Sequence, residues 1–110
     1  GLHPFDAFTA SVCNLRPTSR GHVHIATPHA EDAPSISPNY LDTQADRQVA
    51  IDAMKLTRRI VAQAPLSRFR PQEHLPGPAA TSDEDLLDAS ARLGTTIFHP
   101  VGTAKMGRPE

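Results

Sequence analysis

The chain has 110 residues, 38% of them hydrophobic and 11 of them proline, so it holds at most one domain with a thin core, and uninterrupted helices cannot fill most of it. Its formal net charge is −1 with neither sign gathered in a block, which removes the counterion release that drives nucleic-acid binding. No run approaches the roughly 18 apolar residues of a membrane span, the first residues lack the basic-then-apolar layout of a signal peptide, and the single Cys13 excludes an intramolecular disulfide and a cysteine-built zinc site. A soluble chain in a reducing, cytoplasmic setting is expected, with no nucleic-acid partner and no transmembrane segment.

Phe8, Ala10 and Val12 alternate with Thr9, Ser11, Cys13 and Leu15, the period of two that predicts a strand over Phe8–Arg16. Pro17–Gly21 is turn chemistry, and His22–Thr27 alternates again with Val23 and Ile25 on one face, so the two runs are expected to pair as an antiparallel hairpin. Pro28, Pro34 and Pro38 then punctuate an extended stretch whose one large apolar side chain before Tyr40-Leu41 is Ile36.

From Asp42 the period changes. Val49, Ala53, Met54, Thr57, Ile60, Val61 and Ala64 recur at spacings of three and four, which predicts a helix from about Thr43 to Ala64. Asp42 or Thr43 caps it, Asp46 suits the positive end of its dipole, Arg58 and Arg59 suit the negative end, and Pro65 stops it. Its apolar face, Met54 included, is expected against the sheet, with Arg47 toward solvent. Arg68–Ala80 carries Pro71, Pro76 and Pro78 and reads as an ordered connector. Thr81-Ser82-Asp83-Glu84 offers a capping box, with Thr81 or Ser82 as cap, for a short helix bearing Leu86, Leu87, Ala91 and Leu93 and stopped by Gly94. The fold class expected is α+β: an antiparallel sheet fragment, made of the hairpin plus a C-terminal strand, with one long and one short helix packed on one face.

His22 and His24 share a strand face with His29 close behind, but a metal site needs three or four convergent ligands, and a solvated strand face explains the spacing as well. No metal ligands are assigned. Cys13 lacks a thiolate-stabilising neighbour, no Gly-x-Ser-x-Gly turn presents a nucleophile, and neither Gly-x-Gly-x-x-Gly nor a phosphate-cradling loop occurs. Any nucleotide cofactor must be gripped largely by residues outside the stretch. In Thr95–Gly107, Pro100 biases His99 toward an extended backbone, a rigid way to present a base, and alternation puts Ile97 on the same side. Gly102 permits a close backbone approach. From these residues alone, a packed histidine in a connecting strand remains the commoner outcome.

Ile97-Phe98-His99-Pro100-Val101-Gly102-Thr103 followed by Lys105-Met106-Gly107 resembles the histidine motif near the C-terminus of the glucose-methanol-choline oxidoreductases, flavin-dependent alcohol oxidases and dehydrogenases. Leu15–Val23, Ile36–Leu41 and Leu75–Pro78 resemble further motifs of that family in the same order, so the likeness covers about residues 10 to 107 and is closest in flavour to choline dehydrogenase-like members. Ala104 stands where many members have cysteine, and Lys105 where many have arginine.

The resemblance implies a truncated C-terminal, substrate-binding domain over residues 1–110 of a protein several times longer, without the flavin-binding half or the final segment that supplies a second active-site His or Asn. It implies FAD in the whole enzyme, not bound to this chain alone, and a small-molecule alcohol as substrate. It implies His99 as general base and Val101, Gly102 and Thr103 beside the flavin ring; Ile97, on the same side as His99 by alternation, is then a candidate wall of the substrate or flavin cavity, with packing in the strand as an equal alternative. The partner is the flavin-binding half of the same protein; without it, apolar surface could drive self-association, and a membrane would be reached only through an electron acceptor. The alternative from another class is a noncatalytic interaction module binding metal through His22, His24 and His29.

Overall fold

Proline, glycine and capping residues cut the chain into five elements, described in a computed structural model over residues 3–108. Strands β1 (His22–His24) and β2 (Ser35–Ser37) pair antiparallel, with Val23 opposite Ile36 at the centre. Helices α1 (Gln44–Val61), α2 (Ala64–Ser67) and α3 (Asp83–Leu93) follow. The α+β class therefore stands, with the two longer helices where the sequence sets them, while the sheet is drawn from other segments and the helices pack on each other.

The two longer helices start where their caps direct. Thr43 accepts from the Asp46 N–H at the start of α1, and Ser82 accepts from the Asp85 N–H at the start of α3 while the Asp85 carboxylate accepts from Ser82 in return. Pro65 does not end α1, which has already stopped at Val61; it lies in the first turn of α2, where its missing N–H costs no helical bond. Gly94 caps α3 in an extended conformation, and a Cβ there would approach the Ser90 carbonyl oxygen to 2.5 Å, so close approach is what demands glycine.

α1 and α3 pack on each other, and the core is Ile51 with Leu86 and Ala89, the last two 0% and 1% exposed. Met54 accordingly meets α3, its sulfur accepting from Ser90 Oγ at 3.0 Å, and not the sheet. Lys55 pairs with Asp83 at 2.5 Å across the same seam. Arg58 fixes the connector: its guanidinium donates to both oxygens of Glu73, to the Ala80 carbonyl at 2.8 Å and to the Gly77 carbonyl at 3.3 Å, beyond a cis Leu75–Pro76 bond.

Other expectations need correction. Phe8–Arg16 is not a strand; its alternating side chains are mostly exposed, and β1 pairs with the Ile36 stretch instead, because Gly21 and Pro38 bring those two segments together at closest range. Among the described residues no C-terminal strand forms either, since Phe98 at φ +62° turns the backbone out of the extended path. That turn also breaks the alternation that set Ile97 and His99 on one side. The buried stripe of α1 runs through Ala50, Ile51, Met54 and Arg58, leaving Val49, Leu56 and Ile60 open to solvent. Arg47 lies half-buried on the inner side, donating to the carbonyls of Leu41 at 2.7 Å and Asp42 at 3.0 Å.

The Cα radius of gyration is 17.7 Å, against about 13 Å for a compact chain of this size. The extents of 57 × 32 × 23 Å belong to an open molecule whose helical pair, sheet and C-terminal loop do not share one core.

Candidate active site

The region of the His99 motif is built on a polar junction. The chain over Thr18–Ser19 passes beside the first turn of α1, and the Asp46 carboxylate gathers it: Oδ1 accepts from the Thr18 N–H at 2.8 Å, from Thr18 Oγ1 at 3.1 Å and from Asn14 Nδ2 at 3.2 Å, and Oδ2 accepts from the Ser19 N–H at 2.8 Å. Ser19 Oγ answers by accepting from the backbone N–H groups of Asp42 and Thr43, and Thr18 Oγ1 meets Thr43 Oγ1 at 2.5 Å. Ser19 and Asp46 are 5% and 4% exposed. Burial opposes ionisation of Asp46, but the bonds donated by Ser19 and Thr18 outweigh it and hold the carboxyl far below the usual carboxylate range.

From this junction the chain runs to Gly21, a point that tolerates no side chain. A Cβ on Gly21 would fall on the Ser37 carbonyl oxygen and lie 2.6 Å from that of Pro38. The Gly21 N–H donates to the Gly102 carbonyl at 3.1 Å, and Asn39 Nδ2 donates to the Arg20 carbonyl at 3.1 Å. Gly102, at φ +89°, packs so closely that a Cβ would stand 3.1 Å from the Ser19 carbonyl oxygen. Through Gly21 and Ser19 the 97–105 loop is thus fastened to a segment that Asp46 holds.

On that loop His99 is exposed, and its Nδ1 faces the Ile97 carbonyl oxygen. A carbonyl oxygen only accepts, so Nδ1 carries the hydrogen and Nε2 of the neutral ring keeps a free lone pair. The Phe98 N–H donates to Thr96 Oγ1, closing the turn before it. Ile97 is half exposed, Phe98 is 85% exposed, and Thr103 is half-buried. Val101 and Gly102 form one wall of an open cleft of about 410 Å³ whose other walls are Leu15, Arg16, Pro17, Thr18, Arg20 and Lys105. His99, Ile97 and Thr103 are not among those walls, so the cleft brings together two of the five expected site residues and not the other three.

Arg20 is also structural, its Nη1 donating to the carbonyls of Pro17 and Ser19. Asp46 and Ser19, the residues that shape the junction, carry no signal in the sequence beyond a first-turn acid and a turn serine.

The other histidines do not build a centre. The rings of His22 and His24 stack with centroids 4.7 Å apart, and among the described residues no group of three or more His, Cys, Asp or Glu side chains is placed to hold a metal ion. No described helix is long and apolar enough to cross a membrane.

Comparison with known proteins bears on the same residues. The GMC oxidoreductase family model for the C-terminal region matches residues 17–110. The chain is 42% identical over 104 residues to an oxygen-dependent choline dehydrogenase of Citrobacter koseri, covering 94% of this chain and 18% of that protein. It is 36% identical over 101 residues to an alcohol dehydrogenase [acceptor] of Pseudomonas putida, covering 92% of this chain and 18% of that protein. Another oxygen-dependent choline dehydrogenase, from Serratia proteamaculans, is 41% identical over 104 residues, 94% of this chain and 19% of its own length. The chain therefore spans less than a fifth of the curated relatives it matches. No solved structure matches it. With the family model covering the polar junction, both long helices and the whole histidine loop, the chain belongs to the GMC oxidoreductases and is part of an oxidoreductase.

Proposed function

We propose that this chain is the substrate-side portion of an FAD-dependent enzyme that oxidises the CH–OH group of a small, choline-like alcohol, with His99 as the general base. The observation that carries the reading is the His99 ring itself, whose Nδ1 is engaged by the Ile97 carbonyl so that Nε2 is left to take a proton. Family membership and relatives named for choline and alcohol oxidation support the class of substrate.

Oxidising an alcohol removes a proton from the hydroxyl oxygen and a hydride from the carbinol carbon. His99 Nε2 accepts the proton, and the resulting imidazolium keeps its Nδ1–H on Ile97 and opposes the alkoxide charge that makes hydride departure easier. FAD, when bound, supplies the hydride acceptor. The residues present fit one edge of such a ring system. Val101 offers an apolar wall, Gly102 lines the cleft with backbone alone, and the cleft beside them opens outward, with Thr103 next in the chain. The described residues offer no Gly-rich strand-to-helix turn to hold the pyrophosphate, so that grip belongs to the flavin-binding half of the protein. The same half is suited to cover the apolar side chains left open here, among them Phe98 at 85% and Met106 at 98% exposed, and Ile97 would border the substrate.

The test is His99→Ala in the flavoenzyme that carries this segment. The rate constant for anaerobic flavin reduction by the alcohol should fall roughly 10²- to 10⁴-fold, with flavin content unchanged. A variant that reduces its flavin as fast as the parent would return His99 to a packing role.

A further inference from the structure

The bonds that the histidine turn makes within itself are short in range. The Phe98 N–H on Thr96 and the His99 ring on the Ile97 carbonyl are both local, spanning two residues. Near His99 the loop is reached from distant sequence by the Gly21 N–H, which donates to the Gly102 carbonyl at 3.1 Å, and by the seating of Gly102 against the Ser19 carbonyl. Both contacts come from a single five-residue segment, Pro17–Gly21, and the grip on that segment comes from below. Asp46 takes two successive backbone N–H groups, those of Thr18 and Ser19, at 2.8 Å each, and Ser19 Oγ returns two bonds to the backbone that opens α1.

Ser19 thus has its N–H on Asp46 and its carbonyl against Gly102, so one residue separates the buried carboxylate from the histidine loop. Gly102 in turn is three positions from His99, with the rigid ring of Pro100 between. We propose that Asp46 is a positioning residue for His99, acting through Thr18–Ser19 and the Gly21–Gly102 bond to set where the imidazole stands. The proposal rests on the reading of His99 as base. Asp46 touches neither substrate nor flavin in it; the helix start gives the loop a rigid origin, which a half-exposed motif of turns cannot supply for itself.

Asp46→Asn is close to isosteric and is the informative change. Both carboxylate oxygens now accept from N–H groups, so whichever position the new NH₂ takes, it faces a donor, and one of Thr18 or Ser19 is released. The experiment is a cycle of four holoenzymes, the parent, Asp46→Asn, His99→Ala and the double variant, with anaerobic flavin reduction by the alcohol as the readout. Asp46→Asn should slow reduction roughly 10- to 100-fold when His99 is present, the usual cost of a base held slightly out of place. In the His99→Ala background the same change should have less than about twofold effect, because there is no base left to misplace.

An equal slowing in both backgrounds, or no slowing in either, overturns the proposal and leaves His99 as the base. Should His99→Ala itself reduce flavin at the parental rate, the base assignment fails first and this inference falls with it. If Asp46→Asn yields no folded holoenzyme, Thr18→Val takes its place in the cycle. It deletes the hydroxyl shared with Asp46 and Thr43 while keeping the backbone N–H bonds, and it should show the same dependence on His99 with a smaller effect. Additive behaviour of Thr18→Val overturns the proposal as well.

Discussion

The helical pair and the polar junction are held together by opposite means. Between α1 and α3 the fixing element is apolar burial, with Leu86 and Ala89 closed off from solvent against the Ile51 side, and the charged contacts around it, such as Lys55 with Asp83, lie in the open. At the junction no large apolar side chain is buried, and the geometry is set by a converging group of hydrogen bonds on one carboxylate. Burial is non-directional and tolerates small slides of one helix on another. Hydrogen bonds are directional, so the junction fixes the positions of Thr18, Ser19 and Gly21 more narrowly than the helical pair fixes anything. The histidine motif is attached to the second kind of structure. A loop that carries a base, the role proposed for His99, needs placement more than it needs stability, and the molecule provides the two in separate regions.

That separation predicts that damage to one region should leave the other's geometry intact. The largest expected effect is Leu86→Ala. Leu86 is 0% exposed in a core with very few fully buried side chains, and its truncation should cost about 2 to 5 kcal/mol. Denaturant melts would show the loss, while amide exchange at Gly21 under native conditions should change far less than exchange within α3. If the Gly21 amide loosens as much as the helix, the two regions form one cooperative unit and the distinction fails.

Next in size is Asp46→Asn read as stability. Two backbone donors, that of Ser19 buried and that of Thr18 partly so, compete for one remaining acceptor, which should cost about 1 to 3 kcal/mol near neutral pH. The pH dependence sharpens the point. The Asp46 carboxyl is held below its unfolded value, so its contribution is complete above the ordinary aspartate range near pH 4 and drains away as the pH falls through the window between that range and the lowered folded value. The parent should therefore lose stability steeply on acidification below about pH 4, and Asp46→Asn should flatten that limb. Parallel acid limbs for the two proteins would show that the carboxylate is not the group that ties the junction.

The sequence discloses the first region far better than the second. Spacings of three and four disclose α1, the capping residues disclose the starts of α1 and α3, and the alternation from His22 discloses β1, which together give the α+β class. Even there the expected face is only partly the buried one: Ala53, Met54, Thr57 and Val61 are half-buried, but Val49 and Ile60 stay open and Ile51 takes the core position, because periodicity alone does not say which edge of an apolar stripe finds a partner. The alternation of Phe8–Arg16 misled for a related reason: a strand needs an edge to pair with, and Gly21 and Pro38 gave that edge to Ile36. At the candidate site, His99 and the glycine beside it were legible through a resemblance in the motif. Asp46 was not, because its role depends on residues Asn14, Thr18 and Ser19, which lie 27 to 32 positions away. A buried acid in the first turn of a helix looks, in sequence, like any acid placed there for the dipole.

The smallest effect offers the closest control, since α3 carries a second carboxylate with a similar bond set in a different setting. Asp85 Oδ2 accepts from the backbone N–H groups of Ser82 at 3.0 Å and Thr81 at 3.2 Å, and Ser82 Oγ accepts from the Asp85 N–H at 3.1 Å. The hydrogen bonds of Ser82, with that from Thr81, lower the Asp85 carboxyl just as those of Ser19 and Thr18 lower Asp46. The difference is solvent: this capping box is exposed, so water can take up any donor that loses its partner. Ser82→Ala should therefore cost only about 0.5 to 1 kcal/mol, at the lower end for a lost N-cap, and should speed amide exchange in the first turn of α3 without disturbing Gly21. Melts that place Ser82→Ala level with Asp46→Asn would mean that bond count, and not enclosure, sets the strength of such carboxylate junctions. Asp46 would then be an ordinary helix-start residue, and the narrow placement of the histidine loop would need another origin.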